Sequence, residues 1–309
     1  MQDITILPAN LATLVLESFL YGLLLLLFIS TIYFLAMRRT LAGTTQTAKH
    51  HLTSLVFLGV TALFLLVTVH WSIVIYQAFF AFIHLGSFVA EDAFYADLAQ
   101  KTEVAKAVLF FLAVLLGDAL VTYRLWVIWG GNRKIVILPI FALIGLAVAE
   151  TGIAVELTKW EPRLRGASFD DESRPWEATG FVLSLVANLY STVCIILRIW
   201  GVKTNTSGSE SRLQVQHASI PFTFTNNEFN KWLLSILVES AALQTFWLIF
   251  DGMTLLFRSD AEFIATDTFP AILGISNTLI HARVGLGWSQ DSAVTYKPKA
   301  RSEYPKNAV

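Results

Sequence analysis

The residues equipped for chemistry in this chain are ionisable and amide side chains set inside long apolar runs. Asp118 follows Gly117 in VLFFLAVLLGDALVTYRLW, and Asn188, Gln244 and Asn277 sit at similar depth in three other runs. Glu17, His70 and Glu150 lie nearer one end of their runs; Arg124, Arg198, Glu239, His281 and Arg283 lie nearer the other. An ionisable group in hydrocarbon is costly, so it turns to a bundle interior, pairs, or marks the path of a ligand, ion or proton. Glu17, His70, Asp118, Glu150, Asn188 and Asn277 are therefore expected to line a polar pocket open to one side. Asp118 would be its floor or a proton-relay group, or, more plainly, a hydrogen-bonded acid bracing Asn188 or Asn277. Arg124 and Glu239 match in depth to within roughly one turn, at about 1.5 Å per residue. An ion pair between them is expected, shared with His281 and Arg283, serving as a static brace or as a lock that breaks when a helix moves.

Other chemistries lack their residues. A retinal Schiff base needs a lysine in the last apolar run, and 269–287 has none. A zinc hydrolase needs several converging histidines. Of the six, His50, His51, His70, His84, His217 and His281, only His70 and His281 are expected within helices, at opposite depths. Cys194 is the only cysteine, which excludes an intrachain disulfide and any multi-cysteine metal site. No GxSxG, phosphate-binding glycine loop or dinucleotide fingerprint stands in a usable context. The expectation is a non-enzyme with no cofactor and no metal.

These side chains need helices to position them, and the composition says of what kind. Of 309 residues, 55% are hydrophobic and only 15% charged, with a net charge of −1 and a mean hydropathy of +0.60. A soluble domain carries about 25% charged residues, so a cytosolic enzyme and a disordered chain are excluded. No basic run offers a nucleic-acid footprint. Spanning a bilayer takes about 20 apolar residues in a helix. Seven runs qualify: 11–36, 52–79, 104–129, 135–157, 177–200, 232–256 and 269–287. The first follows MQDITILPAN, which carries no base, and is too long for a signal-peptide core, so an uncleaved helix is expected. The predicted fold class is thus an all-α, polytopic seven-transmembrane-helix bundle, with 1–10 a short outside segment and 290–309 a polar cytosolic tail without fixed structure.

Lysine and arginine set the orientation. Segments 37–51, 130–134, 201–231 and the tail from Trp288 carry twelve, against six on the opposite side. That two-to-one bias places the N-terminus outside and the C-terminus inside, although the 158–176 segment dissents with four bases. Trp126, Trp129, Trp176, Trp200 and Trp232 fall near span ends, where amphipathic rings suit headgroup depth. The sequon Asn205-Thr206-Ser207 then faces the cytosol and stays unmodified, in a long polar segment.

Several segments taken together carry a resemblance: GDALVTYRLWVIW, ILPI, NLYSTVCIILRIW, SILVESAAL and ILGISNTLIHARVGLGWS. From about Leu11 to Ser289 the chain resembles a large, uncharacterised family of seven-helix integral membrane proteins from mushroom-forming (basidiomycete) fungi. That resemblance implies the seven-helix topology and no established activity. A receptor- or sensor-like protein with an outward-facing polar pocket is expected, its partners the lipid bilayer, a small ligand and a cytosolic signalling partner at the inside loops. The departures from animal G-protein-coupled receptors are plain: Thr122-Tyr123-Arg124 stands where a DRY triplet would, and NPxxY is absent. A small-molecule or ion transporter or channel is the alternative, and a non-catalytic structural membrane protein the third. The membrane would be the plasma membrane or an endomembrane.

Overall fold

The computed structural model describes residues 6–41, 47–158, 167–206, 227–257 and 261–295, with side chains described for 6–34, 55–157, 173–198, 235–257 and 261–280. Eight helices and no strand make up these residues: α1 (Ile6–Leu41), α2 (Thr47–His84), α3 (Phe88–Tyr95), α4 (Lys101–Ile128), α5 (Arg133–Thr158), α6 (Ala167–Thr206), α7 (Asn227–Phe257) and α8 (Ala261–Thr295). All but α3 are long and apolar enough to cross a membrane. The chain is a multi-pass integral membrane protein, an all-α bundle of seven spans. Helix is the form a lone apolar segment must take in hydrocarbon, because it satisfies every backbone polar group within itself.

Contacts near one end of the bundle fix the course of the chain. Leu7 of α1 packs with Ala81 of α2 and Tyr95 of α3, Lys106 of α4 meets Asp267 of α8, and Arg174 of α6 donates to the Leu255 carbonyl of α7. The starts of α1, α4, α6 and α8 therefore share one end with the finishes of α2 and α7, and successive spans run in opposite senses. We call this the amino end.

Helices α1, α2, α6 and α8 extend beyond the apolar runs that announced them by about one to three turns at each end, whereas α5 exceeds its run by one or two residues and α4 ends one residue short of its own. His84 closes α2 and stacks on Phe80 at 5.4 Å, and His50 and His51 fall near its start, which is Thr47. Histidines therefore occur in helices more widely than the apolar runs implied. Helix α3 was not foreseen. Its Ser87 hydroxyl caps it by accepting the Ala90 N–H, as serines at helix starts commonly do. At the opposite end α4 stops at Gly130-Gly131, both at positive φ (66° and 81°). The Gly131 N–H reaches back to the Trp126 carbonyl, 3.0 Å, a closure that a residue with Cβ would strain.

Helix α4 packs against α2, α5, α6 and α8, and shares the centre of the bundle with α8, which packs against α1, α2, α4 and α7. From Asp267 to Thr278 every residue of α8 is buried. A helix buried all round is the inner strand of a bundle. Its core partners include Leu20 and Leu24 of α1, Val67 of α2, Val114 of α4 and Leu248 of α7. Outward positions such as Val15, Phe19, Leu26, Phe141 and Phe246 are apolar and exposed, the surface that hydrocarbon chains cover.

Candidate functional site

Asp118 lies in the middle of α4 with 1% of its surface exposed. Its Oδ2 accepts from the Ser184 hydroxyl of α6 at 2.6 Å, and its Oδ1 accepts from Gln244 Nε2 of α7 at 3.1 Å. One carboxyl group thus bridges three helices. The sequence offered Asn188 and Asn277 as neighbours to brace; the partners are Ser184 and Gln244 instead. Depth can be counted along a helix, but azimuth follows from packing, and Ser184 stands one turn before Asn188 on the same α6 face.

Asn277 of α8 serves Arg124 of α4. The guanidinium donates to Asn277 Oδ1 at 2.9 Å and to the Asn277 carbonyl at 3.2 Å, while Asn277 Nδ2 donates to the Leu273 carbonyl at 2.9 Å. Gly117 lets α8 approach here, since a Cβ on it would come within 3.1 Å of Leu273. The expected pairing of Arg124 with Glu239 is not among these contacts. Glu239 is exposed on α7, in a recess beside Leu243, Phe246 and Leu279. Ser240 and Gln244 hold the inward positions, and Ser240 and Ser276 exchange hydrogen bonds of 2.6–3.0 Å across α7 and α8. Successive helical residues differ by about 100° in azimuth, so the Ser240 that faces inward turns its neighbour Glu239 away. The side chains of His281 and Arg283 lie outside the described residues.

A small cavity joins the two layers. Arg124, Asn188, Thr192, Ser240, Gln244 and Ser276 supply its polar wall and Val121, Ile195, Ile196, Leu237 and Ile280 its apolar one. It holds about 30 Å3 of room for the centres of water-sized bodies, enough for about two waters at roughly 10–15 Å3 each. Asn188, 1% exposed, has a buried Nδ2 with no protein partner, as does the Ser191 hydroxyl.

The remaining expected pocket residues do not converge on that cavity. Glu150 of α5 is buried, with one carboxyl oxygen near Gly180 of α6 and the other without a protein partner. It feels the charges of Asp118, Asp251 and Glu177, so a run of acids leads from the centre toward the amino end between α4, α5, α6 and α7. Asp251 accepts from Thr266 of α8 at 3.2 Å. Glu17 of α1 and His70 of α2 form a separate buried pair, Nδ1 to Oε1 at 2.8 Å. The six residues expected to line one outward pocket thus fall into three places. Among the described residues no group of three His, Cys, Asp or Glu side chains could hold a metal ion.

One buried constellation escaped sequence reasoning. Lys106 of α4 pairs with Glu103 one turn earlier and with Asp267 of α8, both at 3.0 Å, and Gln77 of α2 donates to Glu103 at 3.0 Å. The signal was present as a lysine inside an apolar run, three residues after an acid.

No protein-family model, curated protein or solved structure matches the chain.

Proposed function

We propose that this protein is a receptor- or sensor-like member of the seven-helix membrane proteins it resembles, with its N-terminus outside and a cytosolic signalling partner at the inside loops. The observation that carries the reading is the Asp118 carboxyl, which ties α4 to α6 and α7 at mid-depth. Six residues on, Arg124 ties the same helix to α8. A small polar ligand that competes for Asp118, Ser184 or Gln244 exchanges helix-to-helix bonds for ligand bonds, and so alters how α6 and α7 sit on α4. That is a differential interaction with two arrangements, which a conformational response requires.

The test is a small-molecule and ion screen on the purified protein in lipid nanodiscs, read by thermal unfolding. A ligand of this site stabilises the wild type and loses at least about tenfold in affinity with Asp118→Asn, the scale of one charge-assisted hydrogen bond at about 1.5–3 kcal/mol. Ligands indifferent to Asp118→Asn contradict the proposal.

A transporter or channel is the second reading, favoured by the polar groups on both sides of Asp118: the acids Glu150 and Asp251 toward the amino end, and the Asn188 cavity toward the other. Flux of protons or small solutes through proteoliposomes, abolished by Asp118→Asn, would select it over the receptor reading.

A further inference from the structure

We infer that the cavity between α4, α6, α7 and α8 is a binding site for a monoatomic anion, chloride, held between the Arg124 guanidinium and the Asn188 amide. Among the described residues its wall carries one charged group, Arg124, and no carboxylate. A guanidinium keeps its proton throughout the working pH range. The cavity therefore has a fixed positive charge beside it and no anionic group to hold a metal ion or an ammonium. Its room, about two waters, is too small for a phosphate or an organic acid and suits a single halide ion. The site is separate from Asp118 as a ligand group, and it holds under either the receptor or the transport reading.

The donors are in place. Asn188 of α6 is 1% exposed; its Oδ1 accepts from the Thr192 hydroxyl at 3.4 Å, and its Nδ2 is buried with no protein partner. A buried N–H is costly until something in the cavity accepts from it. From α4, Arg124 brings a planar fork of N–H donors, of which one terminal nitrogen donates to Asn277. The Ser240 and Ser276 hydroxyls each donate to the other's carbonyl, so they shape the wall without setting a charge against the ion. Asp118 stands outside that wall. Gln244, which lines the cavity, turns its Nε2 to Asp118 Oδ1 at 3.1 Å, and the six residues from Asp118 to Arg124 amount to about 9 Å of helix rise. A chloride between Arg124 and Asn188 accepts from both and joins α4 to α6. The guanidinium favours its charge strongly, because the interior screens charges weakly.

The test follows thermal unfolding of the full chain in lipid nanodiscs while chloride or bromide replaces gluconate at constant ionic strength. Both halides should raise the unfolding temperature along a saturable curve, as binding to the folded state requires. Gluconate, too large for the cavity, should not. Asn188→Asp keeps the side chain's shape but puts an acid in the wall, and should abolish the halide response. Asn188→Ala removes the N–H donors and should weaken halide affinity about tenfold or more, the scale of one hydrogen bond to a charged partner. It carries the test if Asn188→Asp does not fold. An unfolding temperature that is the same in chloride and gluconate means that the cavity holds water alone, and overturns the proposal. So does a saturable halide response that either folded variant leaves intact, since the ion then binds elsewhere.

Discussion

At the scale of single residues, the interior of this bundle is organised by which polar atom finds which. Asp118→Ala removes the acceptor of two buried donors, Ser184 Oγ and Gln244 Nε2. Each stranded donor costs about 1–3 kcal/mol, so this variant should unfold at clearly lower temperature in nanodiscs. Asp118→Asn keeps the shape and one acceptor oxygen, and should lose less. A second expectation concerns the Arg124–Asn277 link. Asn277→Ala deprives Arg124 of a side-chain acceptor and should destabilise more than Glu239→Gln, which alters an exposed position. Thermal unfolding of the two variants side by side checks the order, and a larger loss from Glu239→Gln would contradict it. The depth layer of Asp118, Gln244 and Asn277 was legible in the sequence because helical rise converts residue number into depth. Their pairing was not, since Glu239 and Ser240 differ by one position, yet one is exposed and the other buried. Lys106 was overlooked for a related reason. It stands three residues after Glu103 near a span start, where a lysine reads as snorkelling to water until Asp267 arrives from another helix.

Among the elements, the seven spans were legible because about 20 apolar residues leave few alternatives to a crossing helix. The short α3 was not, since eight residues with Phe88 and Val89 exposed show no apolar periodicity. What the runs could not reveal is how closely the helices approach. A Cβ on Gly152 of α5 would lie 2.5–2.9 Å from the Trp176 ring of α6, nearer than packed carbon atoms come. Gly152→Ala should therefore cost about 1–3 kcal/mol, as overpacking does. Gly22 of α1 has nothing within 4 Å of the same added atom. Gly22→Ala should be neutral or stabilise by up to about 1 kcal/mol, since alanine is the better helix former. Unfolding temperatures of both variants, in one lipid mixture, decide whether close approach rather than glycine itself is what α5 and α6 need.

For the whole molecule, the orientation rests on lysine and arginine placement alone, at two to one. Glycan mapping with acceptor sites introduced in each connection should mark the 85–100 and 158–166 segments as outside. Native Asn205 should stay bare, and a glycan there would reverse the orientation. Two helices, α4 and α8, occupy the centre of the bundle, because α8 is enclosed by α1, α2, α4 and α7. Mid-depth links then run from α4 to α6, α7 and α8; these links hold the helices in register, and Asp118 is their joint. A double-mutant cycle between Asp118→Ala and Gln244→Ala, measured by unfolding in nanodiscs, tests it most directly. Hydrogen bonds between membrane helices average about 0.6 kcal/mol and reach about 1.7. A carboxylate acceptor belongs at the upper end, so the account predicts a coupling of about 1 kcal/mol or more, exceeding that of the parallel cycle between Asp118→Ala and Asn277→Ala. Strictly additive losses for Asp118 and Gln244, or a stronger coupling of Asp118 to Asn277, would contradict it.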